Sequence, residues 1–142
     1  MADRSFLAWP FFDAAHRTLA EELDRWAGAT LAGAGGAYAM GAHATGARLD
    51  NECRSIARAL GEAGWLSHAV PGAHGGARAR LDVRSLCLVR ETLARYAPLA
   101  DFVFALQALG TGPITLYGSD ALRARYLPPV ARGERIAGFA LS

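Results

Sequence analysis

Residues 108–142 read ALGTGPITLYGSDALRARYLPPVARGERIAGFALS, and the fold class turns on this stretch. Gly110, Gly112 and Pro113 are poor helix residues, glycine for its backbone entropy and proline for its missing N–H, so they predict the end of the helix that enters. A short turn over 114–117 follows. Ser119 is a side-chain acceptor suited to an N-cap, and the helix it opens is expected to turn Leu122 and Tyr126 inward. Pro128 and Pro129 should disrupt that helix, and Gly133 should close it. The final IAGFALS sets Ile136, Phe139 and Leu141 among small residues, which reads as a strand. A lone apolar strand buries nothing and is an aggregation hazard. The chain is therefore expected to divide into a helical domain, 1–135, and the first strand of a following domain, 136–142.

Working upstream, 99–109 is a strongly apolar helix with Phe102, Val103, Phe104, Leu106 and Leu109, expected to be covered on most sides or to face a ligand. The segment 99–118 approaches the length of a membrane span, but Asp101, Gln107 and its glycines and proline argue for a core helix plus a turn. Asp82 can cap a third helix to about Tyr96, ended by Pro98 and apolar almost all round through Leu86, Cys87, Leu88 and Val89. Before it, WLSHAVPGAHGG (65–76) combines the apolar anchors Trp65, Leu66 and Val70 with the turn residues Pro71, Gly72, Gly75 and Gly76, which predicts a structured loop. Asp50 suits the N-cap of a second helix with Leu49, Cys53, Ile56 and Leu60 as its stripe. The first helix is expected from about Pro10 to Gly28, with Phe12, His16, Leu19, Leu23 and Trp26 on one face. Between the first two, 28–46 is too rich in glycine and alanine for a core and reads as a flexible connection. It is not a dinucleotide-binding loop, since Tyr38 replaces the third glycine and no strand precedes it.

At 142 residues the chain can build one core without disulfides or metal. It carries 15 basic and 13 acidic residues, net +2, without runs of like charge, which argues against nucleic acid as a partner. All the basic residues are arginine; with abundant alanine and glycine this fits a GC-rich bacterial genome. Asp3 and Arg4 are followed by an aromatic cluster and not by an apolar run with a cleavage site, so the expected location is cytoplasmic. Cys53 and Cys87 read as buried thiols, and no metal site is legible. His16, His43, His68 and His74 read as surface or loop histidines. Glu91 is expected to pair with Arg95 rather than act as a base, and no catalytic residue is assigned.

Taken in order, the segments from 49 to 142 resemble the N-terminal helical domain of the acyl-CoA dehydrogenases. The resemblance rests on ALGEAGWLSHAVPGAHGG (59–76), on RETLARY (90–96) and on the 108–142 stretch. Pro71 with Gly75 and Gly76, Gly110 with Pro113 and Ile114, Tyr117 with Gly118, Tyr126 to Pro128, Gly133 with Glu134, and 139–142 fall in register. The first helix fits loosely, the glycine-rich connection departs in length, and His74 stands where an aromatic residue is common.

The resemblance implies an all-α bundle followed by the first strand of a middle β-domain. It further implies oxidation of the α,β bond of an acyl-CoA thioester, with FAD as cofactor and electron-transferring flavoprotein or a similar acceptor, in an enzyme that is a homo-oligomer when full length. Phe139, Ala140, Leu141 and Ser142 would open the flavin-binding segment, Ser142 also bordering the substrate. Phe102, Ala105 and Leu109 would line the acyl pocket, ordinary core packing being the other reading of that face. The family's base and most of its flavin site belong to other domains, so this chain alone is expected to be inactive. Two other readings are a non-catalytic helical module whose tail pairs with a partner's sheet edge, and an acyl-CoA oxidase that passes electrons to oxygen.

Overall fold

The computed structural model describes residues 3–32, 45–138 and 140. A short 3-10 turn (Ser5–Ala8) leads into α1 (Ala14–Thr30), followed by α2 (Ala47–Glu62), α3 (Val83–Tyr96), α4 (Pro98–Tyr117) and α5 (Asp120–Ala131). Two further 3-10 turns, Trp65–Ala69 and Gly72–His74, lie between α2 and α3. The latter belong to the expected structured loop, pinned where the Gly72 N–H donates to the Arg78 carbonyl at 2.7 Å.

α1 starts at Asp13 and not at Pro10. The Asp13 carboxylate accepts from the His16 N–H at 3.0 Å, and the Asp13 N–H donates to His16 Nδ1 at 3.2 Å, a capping box with histidine in place of the usual glutamate. The same imidazole lies between two carboxylates, with Nε2 2.7 Å from Asp82 Oδ2 and Nδ1 2.8 Å from Asp13 Oδ1. His16 is fully buried, so the surface reading of this histidine is overturned. α1 also runs past Gly28 to Thr30, because burial of Ala27 and Leu31 offsets the cost of about 1 kcal/mol that a helical glycine carries.

α2 begins at Ala47, with Gly46 (φ +60°) as N-cap, so Asp50 lies inside the first turn, where its charge favours the helix dipole. α3 keeps its expected bounds, Asp82 accepting from the Arg84 N–H at 3.2 Å as N-cap. It is not apolar all round. Leu88, Val89 and Leu93 are buried, whereas Val83 and Cys87 face out, since four consecutive residues spread around a helix of 3.6 residues per turn. Cys53 is half-buried and Cys87 exposed, which corrects the buried-thiol reading. Glu91 is exposed, and Arg95 donates instead to Asp24 at 3.1 Å.

The expected stop at 110–113 does not occur, and α4 continues unbroken to Tyr117. Pro113 removes the N–H that would serve the Leu109 carbonyl, and both residues lie on the exposed side of the helix, where solvent can serve that group. Likewise α5, capped by Ser119 as expected, continues through Pro128 and Pro129, whose missing donors would have served the exposed residues Ala124 and Arg125. Its inward residues are Leu127, Val130 and Ala131; Leu122 is exposed and Tyr126 half-buried beneath the guanidinium groups of Arg125 and Arg135. The helix ends at Ala131, and at Gly133 (φ +70°) just beyond it any Cβ would overlap the Ala57 carbonyl of α2.

The main core joins Leu19 and Leu23 to Ile56, Leu60, Leu66, Val89, Leu93, Leu99 and Phe104, and a smaller cluster unites Val70, Leu127 and Ala131. Residues 136–138 and 140 belong to no helix or strand. Phe139, Leu141 and Ser142 lie outside the described residues, as do His43 and most of the glycine-rich connection.

Burial works against ionising Asp82, yet donors on His16, Arg84 and Ser85 hold its carboxyl well below the usual carboxylate range. A depressed folded pKa adds stability that is full above the ordinary value of 3.8 and lost as pH falls through the folded value beneath it. Asp82→Asn keeps a cap acceptor but removes the charge, and we expect it to cost about 2 kcal/mol at neutral pH in denaturant unfolding. Wild type and variant should converge in acid; a gap undiminished at about pH 2 contradicts the linkage.

Candidate functional site

α4 presents two unlike faces. Inward, Leu99, Ala100, Val103, Phe104, Gln107 and Thr111 are buried, and the Thr111 hydroxyl lies 2.8 Å from the Gln107 carbonyl and 3.0 Å from that of Ala69, linking α4 to the 3-10 turn Trp65–Ala69. Outward, Phe102 is 56% exposed, Leu109 50% and Leu116 61%, with Ala105 half-buried between them. At 100° per residue these four positions fall within about 60° of one another, along about 21 Å of helix. The structure thus places Phe102, Ala105 and Leu109 on one face, and the two large side chains are not in the core. A contiguous apolar face left open on a folded domain marks a surface that something else covers.

Beside this face the chain leaving α5 crosses α4. The Ala137 N–H donates to Gln107 Oε1 at 2.7 Å, one turn before Gly110. A Cβ on Gly110 would lie 2.8 Å from the Ala137 Cβ and 3.0 Å from the Gly138 carbonyl oxygen, so the crossing requires glycine there. Ala140 is exposed; of the residues expected to meet a flavin, it alone is described. Gln107 was legible only as a polar interruption of an apolar helix, and its spacing of three from Gly110 was the available signal for the crossing.

Elsewhere, titratable groups are dispersed. Burial, reinforced by the charge of Arg78, pushes the His68 pKa down to about 4, so this histidine is neutral at pH 7. It is half-buried in the first 3-10 turn of the structured loop. His74 is half-buried in the next turn. Among the described residues no group of three or more His, Cys, Asp or Glu could hold a metal ion.

Residues 13–134 match the family model described as the acyl-CoA dehydrogenase N-terminal domain. The chain belongs to this family. A probable acyl-CoA dehydrogenase of Bacillus subtilis (strain 168) is 34% identical over 95 residues, which is 67% of this chain and 16% of that protein. A probable acyl-CoA dehydrogenase of Mycobacterium leprae is 36% identical over 84 residues, 59% of this chain and 21% of its own length. A glutaryl-CoA dehydrogenase of Desulfococcus multivorans is 28% identical over 86 residues, 60% of this chain and 22% of that protein. The chain therefore spans about a fifth of the length of these curated relatives. Among solved structures, nitroalkane oxidase crystallised with 1-nitrooctane superposes with a TM-score of 0.71 at 21% identity, over 89% of this chain and 29% of that one. At that identity the likeness establishes the all-α fold.

In this acyl-CoA dehydrogenase N-terminal domain, α4 alone is long and apolar enough, among the described residues, to cross a membrane, with 20 residues and a mean hydropathy of 1.3. Its buried face packs against α2, α3 and α5. Two phenylalanines two positions apart separate the faces. Phe104→Ala is expected to cost about 3–5 kcal/mol. Phe102→Ala should change the domain's stability by no more than about 0.5 kcal/mol. Equal losses in denaturant unfolding would contradict the assignment of the two faces.

Proposed function

We propose that the chain is the N-terminal part of a FAD-dependent acyl-CoA dehydrogenase, in which the outward face of α4 forms one wall of the acyl pocket. The observation that carries this reading is the open apolar face of Phe102, Leu109 and Leu116, lying beside the crossing of residues 137–138. An acyl chain is recognised by burial against such a wall, and covering the wall excludes water from the thioester carbons. Phe102 bears the largest side chain among the proposed wall residues Phe102, Ala105 and Leu109, so its ring would shorten the cavity and favour a short or compact acyl group.

Family membership supports FAD as the cofactor, and the chemistry of the tail suits that group. Residues 138 and 140 belong to no helix or strand, so their backbone groups are not committed to a ladder, and they follow an apolar wall. A flavin ring has apolar faces and a polar edge. Backbone groups of Phe139, Ala140 and Leu141 and the hydroxyl of Ser142 would hold that edge, Ser142 also bordering the substrate. When bound, FAD supplies the hydride acceptor for the β-carbon of the acyl-CoA. The α-proton would go to a base that the family carries in another domain, and the exposure of Glu91 on the outer surface of α3 argues against that role for it. Electrons would leave through electron-transferring flavoprotein or a similar acceptor, in a cytoplasmic bacterial enzyme that assembles as a homo-oligomer.

The test uses the full-length protein, a panel of saturated acyl-CoA thioesters and a dye acceptor. We expect a bound flavin spectrum and formation of 2-enoyl-CoA, with no turnover by the 142-residue chain supplied with FAD. Phe102→Ala should raise the ratio of long-chain to short-chain kcat/KM by about tenfold or more. An unchanged chain-length profile removes Phe102 from the wall; absence of both flavin and enoyl product removes the dehydrogenase reading.

A further inference from the structure

We propose that Gln107 is a positioning residue for the flavin, acting through the tail that it seats on α4. The proposal rests on the flavin reading of residues 139–142. Gln107 is fully buried in an otherwise apolar stretch of helix, where an uncharged polar side chain is costly unless it is bonded. Only one half of its carboxamide is used: Oε1 accepts the Ala137 N–H at 2.7 Å, while Nε2 is buried with no partner among the described residues. Turning the amide over would set two donors against each other, so the oxygen must face Ala137 and the NH2 group is left to donate elsewhere.

One turn further along α4, Gly110 leaves just enough room for the tail. A Cβ there would come within 2.8 Å of the Ala137 Cβ and 3.1 Å of the Gly138 nitrogen. An acceptor and a gap three residues apart therefore fix the chain at 137–138 from two sides. Residue 139 follows Ala137 by two positions, at most about 7 Å of chain. The chain beyond 138 therefore departs from a point that this seat fixes on α4. Gln107 need not touch the flavin to set where the flavin edge is met.

The experiment measures FAD affinity of the full-length protein by flavin fluorescence, together with the shape of the visible flavin band and the melting temperature of the apoprotein. Gln107→Leu should raise the FAD Kd by about tenfold, the effect of losing one hydrogen bond, and alter the band. Gln107→Glu, which keeps the acceptor for Ala137 but loses the NH2 donors, should fall between wild type and Gln107→Leu. Gly110→Ala leaves the carboxamide intact and displaces the tail, so it should weaken FAD likewise, and it serves where Gln107→Leu does not fold. Wild-type affinity and an unaltered band in Gln107→Leu or in Gly110→Ala would overturn the proposal while leaving the flavin reading in place. A wild-type protein that takes up no FAD would overturn the flavin reading itself, and the proposal with it.

Discussion

Burying one face of α4 against α2, α3, α5 and the turn Trp65–Ala69 constrains the rest of the bundle. Phe104 has no exposed surface, and rotating α4 by one residue would turn it 100° toward solvent, at about 1.5–3 kcal/mol for that side chain alone. Gln107 and Thr111 would lose their partners in the same movement, adding about 1–3 kcal/mol for each buried polar group left unpaired. These penalties fix the rotational setting of the helix. The outward face is determined by the inward one, so Phe102, Leu109 and Leu116 are open to solvent because their neighbours in sequence are committed to the core.

The apolar contacts supply most of the stabilisation but leave the relative placement of the helices loosely specified. Directional bonds do the specifying. His16 joins the N-caps of α1 and α3, Thr111 joins α4 to the turn that follows α2, and Asp24 gathers Arg4, Arg95 and the Tyr96 hydroxyl at 3.2, 3.1 and 3.0 Å. Their energetic asymmetry explains how they work. A made hydrogen bond contributes about 1 kcal/mol net, whereas a shifted helix that orphans a buried group loses up to about 3 kcal/mol. Asp24 is partly open to solvent and should matter less than the Asp82–His16 bond, whose imidazole is wholly enclosed.

What could be read from the sequence follows the range of the forces involved. Asp82 and Ser119 were legible as caps because a cap bonds within its own first turn. Gly110, Gly112, Pro113, Pro128 and Pro129 were misread as breaks because their local cost is visible in the sequence, while the burial that outweighs it comes from distant residues. The bonding of His16 was hidden for the same reason, its partner Asp82 lying 66 residues away. Helical spacing placed Phe102, Ala105 and Leu109 on a common face but did not say whether that face was inside or out. That phase depends on which neighbours α4 packs against. The tail was legible as apolar but read as a strand, which its described residues do not form, and its crossing over Gly110 was not legible, because an isolated glycine in a helix has the same spelling whether it marks an end or a close approach.

On the proposed reading, the acyl wall and the seat of the flavin segment are interleaved on one helix: Leu109 lies between Gln107 and Gly110 in sequence and faces the opposite way. Their separation is then set by the rise and twist of α4 rather than by a loop. Sites on regular elements hold their geometry more closely than sites on loops, and hydride transfer demands reacting atoms within about 3–3.5 Å. A real break at Gly110 or Pro113 would have placed a hinge between the core-facing Phe104 and the far end of the wall at Leu116. Continuity through those residues makes α4 a rigid spacer in which the glycine at 110 admits the tail and the proline at 113 leaves its unserved carbonyl on the exposed side.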